Sequence, residues 1–307
     1  MKLHLASMFP YIYKKYHELL PYEKLNILLS YANIGSNMEF FCLKNRDNID
    51  GTIFDCGAWT ANNSKSVVPG SITVEKYIDY LVTLKELYDK PLVDEYFSFD
   101  IDFSNKGFGI NHQNYLRMID AGLHPTYVIH DIYGDEIEYF IDQGCKRLAL
   151  GSAQIKTSET LDYVMNKLIS ADVSVHLFGH TKFDLIANFP INSCDSAGWT
   201  QAGAFGSIKY WNPKKNDINK TDQIYLEEYS DTGIKHKITL SNYEYRDDLE
   251  NFLHDKFKMS SWDLLKENGG SYMKMLVNIY YYTQLEKIVN QIHKEKGFNT
   301  FSDKKDE

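Results

Sequence analysis

The stretch VSVHLFGHTKFDLIANFPINSCDSAGWT, residues 173–200, decides how the chain folds. Val173–Gly179 and Ile191–Ser196 are short, near-continuous apolar runs, as in parallel strands buried on both faces. Between them a helix opens near Thr181, and Asp184 stands at capping-box spacing from it, with Asp in place of the usual Glu or Gln. Strand, helix and strand in so few residues make one repeat of a parallel α/β sheet. TIFDCGAWTA, residues 52–61, repeats the second strand's ending: an apolar run closing on Asp, then a small residue, Gly and Trp. Two distant strands thus end on a carboxylate that must be desolvated.

The same alternation extends outward. KLHLA from Lys2, LNILLSY from Leu25, YFSFDID from Tyr96, TYVIHDI from Thr126 and RLALG from Arg147 bring the candidate strands to eight. Val74, Tyr77, Ile78, Leu81 and Leu84 recur at helical spacing, as do Leu161, Val164, Met165 and Leu168, with Ser158 expected as N-cap of the second helix. This predicts the α/β class, a (β/α)8 TIM barrel over residues 1–205. An open doubly wound sheet is the competitor, but no GxGxxG follows an early strand. Residues 206–245 read as a small β-rich extension with SDTG as a hairpin turn. Residues 246–307 read as a helical extension ending in a disordered tail, SDKKDE. Ser260 and Ser271 are its expected caps, Gly269–Gly270 a break and Gly297 the end of the last helix.

Bulk properties narrow the classes. With 307 residues, 43% hydrophobic and 24% charged, a large core is available. A net charge of −9 argues against a protein that coats nucleic acid by bulk electrostatics, and leaves room for an enzyme that grips it locally. Cys42, Cys56, Cys145 and Cys194 form no CxxC pair, so neither a zinc site nor a disulfide framework is expected. The first twenty residues lack a signal-peptide pattern, and Lys and Glu interrupt the most apolar late segment, YMKMLVNIYYYTQLEKIV. A soluble, cytoplasmic protein with no membrane partner is expected.

Functional side chains of such barrels stand at the C-terminal ends of the strands. The polar residues there are Asp55, Asp100, Asp102, His130, Asp131, Gly151, Ser152, His176, Asp195 and Ser196. The set is rich in carboxylates without a regular metal spacing, so no metal or other cofactor is expected. Carboxylates at a barrel mouth suit glycosyl transfer, one attacking or stabilising the anomeric carbon and another moving protons. Each also has a plainer reading as the N-cap of the next helix, above all Asp102 and Asp131. Strand alternation nonetheless sends Asp100 and Asp102 to one face. His176, within a strand, reads as a satisfied core histidine, and His130 at a strand end is open to either role. Trp59 and Trp199 each follow a candidate Asp by four residues, where they would sandwich a base or simply pack. Gly179 and Thr181 precede a helix after strand seven, the usual phosphate site of these barrels, although Gly-x-Thr is also ordinary capping.

With these residues in place, residues 25–205 resemble the tRNA-guanine transglycosylase superfamily, most closely its divergent phage and DNA 7-deazaguanine-modification members. FDCGAW is similar to the family's D-S-G-G/A-F/W motif, SFDID to its acidic strand end and LALGS to its Gly-rich sixth loop. HLFGHTKFDLIANFPINSCDSAGW is similar to its closing segment. The resemblance implies exchange of guanine in a polynucleotide for a 7-deazaguanine through an aspartyl link to the ribose C1′. It implies Asp195 as nucleophile, Asp55 as the aspartate that recognises the base and handles protons, and Asp100 on the purine edge. Gly151 would contact the base through its backbone.

Family tRNA enzymes carry a CxCxxC…H zinc subdomain, and residues 205–245 here have no cysteine. DNA therefore stands ahead of tRNA as the expected partner, with a free purine or 7-deazapurine base as the second substrate. Lys209, Lys214, Lys215 and Lys220, in and around NPKKNDINK, are candidate phosphate contacts or a solvated loop. Three alternatives stay open: a nucleoside hydrolase or deoxyribosyltransferase on small molecules, a metal-dependent hydrolase using His130, His176 or His180, and a non-catalytic nucleic-acid- or partner-binding relative.

Overall fold

The structure, a computed structural model, describes residues 1–36, 38–63, 71–87, 93–151, 153–226, 238–265, 268 and 270–298. Eight strands build the main sheet: β1 (Lys2–Ala6), β2 (Leu25–Ser30), β3 (Ile49–Asp55), β4 (Glu95–Tyr96), β5 (Tyr127–Ile129), β6 (Arg147–Leu150), β7 (Ser174–Leu177) and β8 (Ser193–Ser196). Their order is β4-β3-β2-β1-β8-β7-β6-β5, and every pairing between them is parallel. The two outer strands of that order are linked as well. Phe97, just after β4, forms a parallel bridge with Thr126, just before β5, through Ser98 N–H to Thr126 O and Thr126 N–H to Tyr96 O, both 2.9 Å.

Packing explains the curl. Leu28, Ile53, Phe97, Val128 and Ala149, from strands far apart in the sheet order, form one buried cluster, with Ala6 and Phe178 against it. Such residues touch only if the sheet bends round on itself, as in a TIM-like α/β fold. Strand β2, for example, reads LNILLS and is buried on both faces up to its last residue.

Helices α1 (Pro10–Leu19), α2 (Met38–Lys44), α3 (Ala58–Asn63), α4 (Val74–Leu87), α5 (Phe108–Asp120), α6 (Glu136–Asp142), α7 (Ser158–Ser170), α8 (Phe183–Asn188) and α9 (Gly198–Ala204) follow successive strands. A second sheet joins β9 (Ser207–Trp211), β10 (Thr221–Tyr225) and β11 (Ile238–Thr239) in the order β11-β10-β9. The helices α10 (Arg246–Phe257) and α11 (Gly270–Glu295) come last. Contacts divide the chain into two units, Met1–Met8 with Leu25–Ser196 and Ile292–Glu307, and Phe9–Lys24 with Ala197–Gln291. None of the helices in the described residues is long and apolar enough to cross a membrane.

Local expectations hold at several ends and fail at others. Ser260 caps a short 3-10 turn with Asp263 as its reciprocal partner, and Gly297, at φ 69°, ends α11. Thr157 rather than Ser158 caps α7, accepting from Thr160 N–H at 3.3 Å. Ser271 lies inside α11, which already begins at Gly270. The box expected from Thr181 and Asp184 does not form. Lys182 is the N-cap of α8, and the Thr181 hydroxyl donates to Ser196 Oγ at 3.3 Å instead. SDTG, Gly269 and the tail lie outside the described residues.

The YFSFDID run is the main departure, since only Glu95–Tyr96 is strand. Beyond it Asn111 of α5 replaces a strand ladder. Its Oδ1 accepts Ile101 N–H at 2.9 Å and Asp102 N–H at 3.1 Å, and its Nδ2 donates to Asp102 O at 2.7 Å. Strand alternation therefore stops before Asp100 and Asp102, and the two part company.

Candidate active site

Parallel strands all end on one side of the sheet, so the carboxylates closing β3 and β8 and the segment after β4 share that end. Asp55 Oδ2 accepts Gly57 N–H at 3.0 Å and the Ser30 hydroxyl at 3.4 Å. Asp100 is buried. Its Oδ1 accepts the Cys56 thiol at 2.9 Å, and its Oδ2 pairs with His130 Nε2 at 2.7 Å. Asp195, also buried, accepts Gly179 N–H on Oδ1 at 2.8 Å. The same oxygen faces His176 Nε2 at 3.5 Å. Among the described residues no hydrogen bond reaches Asp195 Oδ2.

The charges of these groups act on one another. Burial first, then the charges of Asp100 and Asp195, push the Asp55 pKa up to about 7, against the opposing bonds from Gly57 and Ser30. Burial works against charging His130, but the hydrogen bond and charge of Asp100 outweigh it and raise its pKa. Burial, then the neighbouring aspartates, keep the Cys56 thiol protonated well above its usual range. Asp55, Cys56 and Asp100 offer ligand atoms within 4.8 Å of one another. The thiol, however, is spent as a donor to Asp100. The arrangement is one carboxyl with a pKa near neutrality, a second carboxyl with one oxygen that no described residue hydrogen-bonds, and a buried Asp–His pair.

The expected site residues separate accordingly. Asp55, Asp100, His130 and Asp195 come together, with Gly151 at the edge: a methyl there would meet Val128 Cγ1 at 2.8 Å and His130 Cε1 at 3.0 Å. Gly179 holds Asp195, and Thr181 bonds Ser196. Asp102 instead caps a turn, accepting Ser104 N–H at 2.9 Å. Trp59 is 65% exposed on α3, whereas Trp199 on α9 is fully buried and its ring is closed to a base. Lys209 donates to Tyr282 Oη at 2.9 Å, and Lys215 to Asp222 Oδ1 at 3.0 Å. Lys220 bonds Pro213 O at 3.0 Å, and Lys214 lies 3.9 Å from Asp248. Lys209 and Lys215 are thus engaged inside the second unit, whereas Lys214 stays exposed. Ser152 lies outside the described residues.

Three participants are weakly signalled in the sequence. Cys56 stands next to Asp55 but reads there only as a poor zinc ligand. Ser30 ends a different strand. Glu136 accepts His130 N–H at 2.9 Å and Asp131 N–H at 3.3 Å, fixing the loop that carries the imidazole.

Two glycines make the carboxylate clamps. Gly57 has φ 78°, and a methyl on it would lie 2.5 Å from Ala32 N. Gly179 has φ 67° with nothing within 4 Å of such a methyl. Gly179→Ala is expected to cost about 1 kcal/mol from backbone strain alone, and Gly57→Ala about 2 kcal/mol or more because the clash is with backbone. Urea denaturation of the two variants checks the order; equal losses would contradict it.

Comparison of the chain with protein-family models, curated proteins and solved structures finds no match among any of them.

Proposed function

We propose that the chain is a base-exchanging glycosyltransferase that replaces guanine in a polynucleotide, DNA ahead of tRNA, by a 7-deazaguanine. In this reading the curled sheet is a full (β/α)8 barrel with the reaction at its C-terminal mouth. The observation that carries the proposal is the meeting of Asp55, Asp100 and Asp195 at one strand end, with Asp55 raised to about 7 by burial first and then by the charges of the other two. Oδ2 of Asp195 attacks C1′ as the glycosidic C–N bond breaks, and the Asp55 carboxyl protonates the departing guanine. Asp55, now a carboxylate, takes a proton from the incoming base, which attacks C1′ and expels Asp195. Asp100, braced by His130 and Cys56, accepts from the purine edge beside the Gly151 backbone. Exposed Trp59 is the aromatic left to stack on an extruded base.

A second reading, hydrolysis or base exchange on free nucleosides, uses the same carboxylates. Two observations favour it: the net charge of −9, and the engagement of Lys209 and Lys215 inside the second unit rather than with phosphates. Incubation with labelled guanine or a labelled 7-deazaguanine, together with DNA, tRNA or free nucleosides, separates the two. Label in DNA is expected. Label in neither polymer removes the first reading, and turnover of nucleosides alone establishes the second.

A further inference from the structure

Beneath Asp195 runs a line of polar groups, buried at His176 and Ser193 and part-buried at Arg147 and Glu95, to which the reaction above assigns no task. His176 is completely buried. Phe97 and Phe178 flank its ring at 4.7 and 4.4 Å between centroids. His4, 6.4 Å away, is kept neutral with a pKa lowered to about 3 by burial and by His176. The two ring nitrogens of His176 face opposite ways along the sheet: Nε2 lies 3.5 Å from Asp195 Oδ1, and Nδ1 lies 2.8 Å from Ser193 Oγ. This follows from register, since His176 of β7 is the direct partner of Ser193 at the start of β8.

Ser193 Oγ accepts a 2.6 Å hydrogen bond from Arg147 Nη2 at the start of β6. Arg147 also clamps Glu95, at the start of β4, with Nε and Nη2, both at 2.8 Å. Burial opposes the charge on Glu95, but the bonds and charge of Arg147 win and bring its pKa down to about 2. The ion pair is therefore permanent across the working pH range. The line thus starts from the N-terminal ends of β4, β6 and β8 and finishes on the C-terminal carboxylate.

Proton counting gives it a direction. A guanidinium only donates, so Ser193 accepts from Arg147 and retains its own hydrogen to give. Among the described residues the acceptor in reach is His176 Nδ1, at 2.8 Å. A neutral imidazole that accepts at Nδ1 carries its hydrogen on Nε2, the nitrogen aimed at Asp195. We propose that Arg147 and Ser193 are positioning residues that lock His176 in its Nε2–H tautomer. His176 then presents a donor to Oδ1 of Asp195, beside Gly179 N–H, and leaves Oδ2 as the reacting oxygen. The assignment of a purpose to the lock rests on reading Asp195 as the nucleophile. A 3.5 Å separation is long for a hydrogen bond, and such contacts tighten when substrate binds.

The test has two independent readouts on the full chain. With histidine labelled by 15N, long-range proton–nitrogen correlation is expected to show His176 with a protonated Nε2 and an unprotonated Nδ1, the signal being assigned by its loss in His176→Gln. Ser193→Ala is expected to lose this pattern and Ser193→Thr, which keeps a hydroxyl, to retain it. In parallel, trapping of the enzyme–polynucleotide adduct is expected to slow about 10- to 100-fold in Ser193→Ala, with polynucleotide affinity unchanged and Ser193→Thr close to the parent. An Nδ1–H tautomer or an imidazolium in the parent protein overturns the lock. So does a Ser193→Ala variant that traps adduct as fast as the parent. If the parent forms no adduct, the transglycosylase reading falls while the tautomer alone still decides the lock. If Ser193→Ala fails to fold, the parent spectrum decides it.

Discussion

Asp195→Asn is expected to leave no covalent band on a denaturing gel after incubation with the polynucleotide and no incoming base, and to lower exchange by roughly 10⁴-fold or more. Two features single out this carboxylate. Its Oδ1 is already held by Gly179 N–H and faced by His176, so the side chain cannot turn away. Cys194 and Ser196 flank it. An amide keeps the shape and the Gly179 bond but has no charge with which to meet a developing positive centre at C1′. The loss therefore belongs to chemistry and not to binding, and affinity for the polymer is expected to stay within a few-fold of the parent. An adduct that persists in Asp195→Asn would place the nucleophile elsewhere and undo the assignment of roles.

The second large effect is at Asp55, and it has opposite signs in activity and stability. Asp55→Asn removes the proton carrier and is expected to slow turnover by roughly 10²–10⁴-fold, a general acid–base factor, while still allowing slow adduct formation. In the parent protein, activity is expected to change across a limb near pH 7, where Asp55 titrates, and the variant should lose that limb. Stability moves the other way. A carboxyl of pKa about 7 in the fold, and about 3.9 when unfolded, binds its proton more tightly in the native state. Its stabilising contribution is fully present below pH ~4 and is lost as pH rises to ~7. The shift corresponds to at most about 4 kcal/mol, and partial exposure of the side chain reduces this to about 2 kcal/mol. Asn mimics the protonated form at every pH. The variant is therefore expected to melt about 4 °C above the parent at pH 8 and together with it at pH 4. Equal melting at pH 8 would mean that Asp55 is not held against ionisation, and its role in proton transfer would lose its basis.

The two aspartates illustrate how a shared environment divides labour. Both close a strand of the same sheet, yet Asp55 is crowded by the charges of Asp100 and Asp195. Asp195 has a backbone N–H and an imidazole on one oxygen. Two carboxyls held in such different surroundings suit the separate nucleophile and acid–base roles proposed for them.

Much of this was legible in the residues themselves, because apolar runs of strand length, helical periodicity and a carboxylate at the strand end are local patterns. All eight strands of the main sheet lie within or overlap the runs read as strands, and parallel direction alone brings Asp55 and Asp195 to one end. What only the tertiary structure decided depends on partners distant in sequence. Asn111, on a helix, takes the hydrogen bonds that would have continued β4, and so separates Asp100 from Asp102. His176 is the core residue expected, and the register of β7 against β8 also makes it the neighbour of Asp195. Lys209 and Lys215 find acceptors on α11 and β10, and of the two readings of Trp199 burial selects packing. A side chain's own chemistry is written in the sequence, but its protonation, its partner and its access to substrate are set by groups that folding alone brings within a few ångströms.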